Sequence, residues 1–124
     1  MSWFKIEGQK VFYANYRGLD GEQMIERLDE IIQIYRLEPE KFYSLIDFTN
    51  SFLSEEYISE MMNGEITALR KQKIIKTAVI GLNFAKVAIL EVYKVLNGDE
   101  KFKLFDTKEE ALEWLTSEIK KRTS

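Results

Sequence analysis

The sequence predicts an α/β fold with the element order ββαβαβαβα in a single domain, residues 1–124. Short β-rich runs alternate with segments whose apolar residues recur at helical spacing. Such alternation indicates right-handed crossovers and a mixed, mostly parallel sheet of about five strands with about four helices. A chain of 124 residues can bury one core and needs no second domain.

The first third of the chain predicts a hairpin followed by a helix. Residues 3–7 and 10–17 are β-rich runs, and Gly8-Gln9 between them has the length of a hairpin loop. Asp20, with Gln23 three residues later, forms a capping box that begins the helix. The apolar stripe of this helix comprises Met24, Ile25, Leu28, Ile31, Ile32 and Tyr35.

The remaining elements continue the alternation. Strands are predicted at 42–48, 74–80 and 101–105, with helices at about 54–72, 83–97 and from Thr107 onward. Gly64 lies within the second of the chain's helices, where a glycine costs helix stability and marks a close contact. Thr107 and Glu110 form a second capping box, which begins the last helix.

Composition excludes several classes of function. The chain has no Cys and no His, so it lacks thiol nucleophiles, the commonest general base and the commonest zinc ligand. We therefore expect no metal, no cofactor and no catalytic constellation. The formal charge of −3 disfavours nucleic acid as a partner. No signal peptide or transmembrane segment is recognisable, and a cytoplasmic location is the expectation.

Three segments together resemble the SpoIIAA-like family of STAS domains, a similarity that covers nearly the whole chain. They are Leu45-Ile-Asp-Phe-Thr, Thr77-Ala-Val-Ile-Gly81 and Phe105-Asp-Thr-Lys-Glu-Glu-Ala-Leu-Glu-Trp-Leu115. The resemblance implies one mixed sheet with helices packed on it, a fold shared in outline with CRAL-TRIO lipid-binding domains. It also implies a regulatory or protein-interaction module, since the family includes anti-sigma-factor antagonists and transporter-tail modules.

The family's phosphorylated serine lies in an Asp-Ser-Ser-Gly type segment at the helix start after the third strand. Here Ser54 falls at the position of the Asp, Glu55 and Glu56 fall at the two serines, and Tyr57 replaces the Gly. Either Ser54 caps the helix while both carboxylates complement its dipole, or these carboxylates replace a removable phosphate with a permanent charge. The predicted partner loop comprises Thr49, Asn50, Ser51, Ser54, Glu55 and Glu56.

Two alternatives to a protein-interaction module stay open. The helix at about 83–97 carries apolar residues over about half of its circumference. Either it is wedged between the sheet and a neighbouring helix, or this face serves self-association as a homodimer or forms one wall of a cavity for a small apolar, lipid-like ligand. Met61 and Met62 of the helix at about 54–72 would suit either of the last two uses. The residues of this predicted apolar surface are Met61, Met62, Phe84, Ile89, Leu90 and Tyr93. An enzyme would use Asp47 and Asp106 at the carboxyl ends of two strands, where open α/β sheets place their ligands.

Overall fold

A five-stranded sheet organises the chain in a computed structural model that describes residues 1–82 and 102–123. The elements are β1 (Ser2–Ile6), β2 (Gln9–Asn15), α1 (Gly21–Leu37), β3 (Phe42–Asp47), α2 (Glu55–Asn63), α3 (Glu65–Lys73), β4 (Ile74–Ile80), β5 (Phe102–Phe105) and α4 (Lys108–Thr123). The helix predicted at about 83–97 lies outside the described residues.

The strands lie in the sheet in chain order, β1-β2-β3-β4-β5. β1 and β2 are antiparallel, whereas β2, β3, β4 and β5 run parallel to one another. The predicted α/β class and the mixed, mostly parallel sheet are therefore confirmed. Because the parallel strands share one direction, their carboxyl ends meet at one edge of the sheet and their amino ends at the other.

The hairpin between β1 and β2 closes one residue earlier than predicted. Ile6 pairs with Gln9, so the two-residue loop is Glu7-Gly8 rather than Gly8-Gln9. Both loop residues have a positive φ, 49° at Glu7 and 81° at Gly8. Two consecutive positive φ angles define the type I′ turn, whose twist matches that of the paired strands.

The single helix predicted over 54–72 is wrong, because Gly64 divides it into α2 and α3. Gly64 adopts an extended conformation (φ −87°, ψ −179°) that ends one helix and begins the next. Its N–H donates to the carbonyl of Glu60 at 2.8 Å. A Cβ at this position would lie 2.5 Å from that carbonyl oxygen, so only glycine fits without displacing the chain.

The sheet buries side chains on both faces. One face packs against α1, α2 and α3, and the other against α4. Val11, Tyr43, Leu45, Ala78 and Ile80 of the sheet meet Ala111, Leu115 and Ile119 of α4. No described helix combines the length and apolar composition needed to cross a bilayer.

We expect Leu115→Ala to lower the free energy of unfolding by about 3 kcal/mol, because Leu115 is fully buried in the seam between α4 and the sheet and its removal leaves a cavity. Urea denaturation measures the loss. Leu37→Ala is the matched control: Leu37 is 83% exposed, so the change is expected to stay within about 0.5 kcal/mol. Equal effects of the two substitutions would contradict the packing of α4.

Candidate functional site

The candidate site is the loop at the carboxyl edge of the sheet, residues 48–54, which we call the edge loop. It leads from the end of β3 into α2. Backbone hydrogen bonds tie it to the segments beside it: Phe48 N donates to Ile80 O at 2.9 Å, Gly18 N to Thr49 O at 2.9 Å, and Phe52 N to Leu19 O at 3.0 Å. The loop backbone is therefore held in one arrangement by two neighbouring parts of the chain.

Asp47, at the end of β3, anchors the base of this loop. Its side chain is 2% exposed. One carboxylate oxygen accepts hydrogen bonds from the N–H and the hydroxyl of Thr49, at 3.0 and 2.6 Å. The other accepts from the hydroxyl of Tyr13 at 2.7 Å and from Arg17 Nη1 at 3.2 Å. Four donors occupy the lone-pair sites that a carboxylate offers.

These contacts set the protonation of the cluster. Burial raises the pKa of the Asp47 carboxyl, but the hydrogen bonds from Thr49, Tyr13 and Arg17 outweigh burial and leave that pKa below its ordinary value. Burial, together with the hydrogen bond to Asp47, raises the pKa of Tyr13 to about 12. At neutral pH Asp47 is therefore a carboxylate and Tyr13 a neutral phenol.

Gly81 allows β4 to pass close to the edge loop. Its φ is +83°, in the left-handed region, and a Cβ there would lie 2.3 Å from Thr49 N and 2.5 Å from Thr49 Oγ1. Glycine is thus required both by backbone conformation and by the space available. The turn after β4 thus packs directly against Thr49, which hydrogen-bonds to Asp47.

The start of α2 follows the capping interpretation. Ser54 is the N-cap, and its hydroxyl oxygen accepts a hydrogen bond from Tyr57 N at 3.1 Å. Glu55 and Glu56 lie in the first turn and are exposed, where carboxylates are stabilised by the helix dipole.

The other residues predicted for the partner loop differ in accessibility. Asn50 is exposed and has a positive φ of 55°. Ser51 is buried, and its hydroxyl donates to the carbonyl of Phe48 at 2.7 Å. Thr49 is half-buried against Asp47. The structure therefore places all three at the edge loop, with the hydroxyls of Thr49 and Ser51 turned to partners within the protein.

Sequence reasoning missed three residues of this site, Tyr13, Arg17 and Phe52. The first two approach Asp47 through the pairing of β2 with β3, which no local pattern reveals. Phe52 belongs to the edge loop, and its side chain is 63% exposed. The sequence did contain a signal for Phe52. Leu53, just before the N-cap, takes the position of a hydrophobic staple and is buried. Because Leu53 already fills that position, the apolar side chain of Phe52 beside it is not needed for the staple.

Of the residues named in the two alternative hypotheses, the structure describes Asp47, Asp106, Met61 and Met62. Asp106 is exposed between β5 and α4. The residues that hydrogen-bond to Asp47 are Tyr13, Arg17 and Thr49, so these bonds do not link Asp47 to Asp106. Met61 is buried in the core beneath α2, and Met62 packs partly buried against the same core. The other members of the predicted apolar surface, Phe84, Ile89, Leu90 and Tyr93, lie outside the described residues.

We expect Asp47→Asn to lower the free energy of unfolding at pH 7 by about 2–3 kcal/mol, because an amide replaces a charged acceptor that four donors face. Since the folded-state pKa of Asp47 is lowered, its contribution is complete above the ordinary value of 3.8 and disappears as the pH falls through the lower folded-state value. The wild-type advantage, measured by urea denaturation, should shrink at acid pH.

Asp106→Asn is the matched control for this experiment, since Asp106 is exposed and the substitution is expected to change stability by less than about 0.5 kcal/mol. A wild-type advantage that grew toward acid pH would contradict the assignment of a lowered pKa to Asp47.

We expect Gly81→Ala to lower stability by roughly 2 kcal/mol more than Gly8→Ala, because overpacking adds to backbone strain. Both glycines have a positive φ, +83° and +81°, but a Cβ at Gly8 would meet nothing within 4 Å. Thermal unfolding of the two variants isolates the contact with Thr49. Equal losses would show that the edge loop yields to the added methyl group.

The comparisons with known proteins concern the fold. One similar solved structure is that of an uncharacterized protein from the DUF3478 family with a SpoIIAA-like fold, from Shewanella loihica PV-4. The match has a TM-score of 0.65, covers 92% of this chain and 90% of that chain, and has 17% sequence identity. No protein-family model and no curated protein matches the chain. The architecture and this match together give the chain a SpoIIAA-like fold.

Proposed function

We propose that this chain is a non-enzymatic protein-interaction module that binds a protein partner through the edge loop and the first turn of α2. The observation that carries the proposal is Phe52, a large aromatic side chain 63% exposed on a loop whose backbone is tied down on both sides. Aromatic side chains that enter a partner's pocket often supply much of the binding energy of an interface.

The hydrogen bonds of the edge loop favour recognition by a preformed surface. Asp47 fixes Thr49 at the start of the loop, and Ser54 caps the helix at its end. A loop that is already ordered loses little conformational freedom on binding, so more of the contact energy appears as affinity.

The charge around Phe52 indicates the kind of partner. Glu55 and Glu56 are exposed in the turn that follows the loop. A complementary surface would have an apolar pocket for the aromatic ring and basic side chains near it, since opposite charges steer association and fix register. Unlike a phosphate group, these two side chains cannot be added or removed by an enzyme, so the module would bind constitutively rather than through a phosphate switch.

The state of Asp47 supports a role without catalysis. Its carboxylate is buried, its pKa is lowered, and its oxygens already accept four hydrogen bonds. A general base needs a free lone pair facing the substrate proton and a pKa near the working pH. Asp47 instead has the properties of a residue that organises the loop.

The test uses four immobilised proteins: wild type, Phe52→Ala, Glu55→Lys and Leu37→Ala. We expect extracts of the source cells to yield a protein that is retained by wild type and by Leu37→Ala and lost from the other two. Leu37 is the matched control because it is also apolar and more exposed, at 83% against 63% for Phe52. With the purified partner, Phe52→Ala should weaken binding about tenfold or more.

Circular dichroism would first establish that all four proteins are folded. A partner retained equally by Phe52→Ala and Glu55→Lys would place the interaction elsewhere on the surface. A partner lost equally from Leu37→Ala would indicate general adhesion to exposed apolar side chains.

A further inference from the structure

A basic pocket lies at the amino edge of the sheet, opposite the edge loop. Its volume is about 250 Å³. The described residues that line it are Lys41, Lys71, Gln72, Ile74, Ile75, Lys76 and Arg122. Four of them carry a positive charge, and none is acidic. This concentration of cations contrasts with the formal charge of −3 for the whole chain.

Helix ends account for part of this charge. Lys71 and Arg122 lie in the last turns of α3 and α4, where cations are stabilised by the helix dipole and are expected on structural grounds. Lys41 precedes β3 and Lys76 belongs to β4, so neither is explained in this way. The nearby Glu118 forms an ion pair with Lys121 at 3.5 Å rather than lining the pocket.

An irregularity in β4 brings Lys76 to the pocket. Phe42 pairs with Ile74 and Ser44 pairs with Thr77, so Ile75 and Lys76 both lie opposite Tyr43. Such a bulge re-aims side chains and is frequent beside functional sites. Lys76 is half-buried as a result, and a partly buried cation gains more from a nearby anion than an exposed one.

Tyr43 supplies a second, independent observation at this edge. Its hydroxyl is buried and has no hydrogen-bond partner among the residues that the structure describes. It lies close enough to Arg122 for the guanidinium charge to act on its pKa, against the effects of burial and of Glu118. A buried hydroxyl without a partner is costly. Tyr43 lies opposite the irregularity at Ile75 and Lys76 and is not itself among the described residues that line the pocket.

We propose that this pocket binds a small phosphate-bearing anion from solution, held by Lys41, Lys76 and Arg122. Phosphate oxygens accept several hydrogen bonds at once and pair with guanidinium groups in a bidentate manner. Drug-sized ligands occupy about 300–1,000 Å³, so the volume of about 250 Å³ suits a smaller molecule. This site is independent of the proposed protein interaction, because the two lie at opposite edges of the sheet.

Isothermal titration calorimetry with pyrophosphate, at constant ionic strength, tests the proposal. The pocket variant is Lys76→Gln combined with Arg122→Gln. The matched control is Lys5→Gln combined with Lys103→Gln, which removes the same charge from two exposed residues that do not line the pocket. We expect wild type and control to bind with the same Kd, and the pocket variant to bind about tenfold more weakly or worse.

Lys41→Gln, a single change at an exposed position, gives a second variant if the double variant unfolds, and it should also weaken binding. Equal weakening in the pocket variant and the control would show an effect of net charge only. Absence of pyrophosphate binding to wild type would overturn the proposal, as would binding confined to vesicles of anionic phospholipid.

Discussion

The buried carboxylate of Asp47 constrains much of the candidate site. A buried charge left without partners costs several kcal/mol, so the segments that supply its hydrogen bonds must keep their positions. Tyr13 comes from β2, Arg17 from the turn after it, and Thr49 from the edge loop. Parallel pairing of β2 with β3 brings Tyr13 and Arg17 within reach of Asp47. The absence of a side chain at Gly81 lets the end of β4 approach Thr49. The hydrogen bonds of Asp47 therefore depend both on the register of β2 with β3 and on the conformation of the edge loop.

The two edges of the sheet expose different kinds of side chain. The carboxyl edge exposes an aromatic ring near the carboxylates of Glu55 and Glu56, whereas the amino edge gathers lysines and an arginine around a pocket. Arg17 also lies at the carboxyl edge, where it pairs with Asp47, whereas no acidic residue is among the described residues that line the amino-edge pocket. Because each edge is made where strands meet helix ends, the same parallel topology gives both edges their distinct surfaces.

Sequence patterns predicted the features that depend on neighbours along the chain. The Asp20–Gln23 capping box forms as expected, and the strands match their predicted segments within a few residues. Two predictions from local propensity were wrong. Gly64 divides the helix predicted over 54–72 into α2 and α3, and the hairpin turn falls at Glu7 and Gly8, which adopt a positive φ, rather than at Gly8 and Gln9. Ser54, Glu55 and Glu56 were correctly located at the start of α2. The hydrogen bonds from Tyr13 and Arg17 to Asp47 could not be predicted, because strand pairing brings together residues 30 or more positions apart.

The hydroxyls of the edge loop already stabilise the folded structure, which bears on how such a module would be controlled. Phosphorylation of Thr49 would break its bond to Asp47 and bring a dianion against that carboxylate. Modification of Ser51 would require its buried bond to Phe48 to open. A phosphate on Ser54 would stand beside Glu55 and Glu56, where repulsion opposes the favourable helix dipole. Each modification therefore opposes a contact or charge that the loop already has, and this favours recognition by a fixed surface.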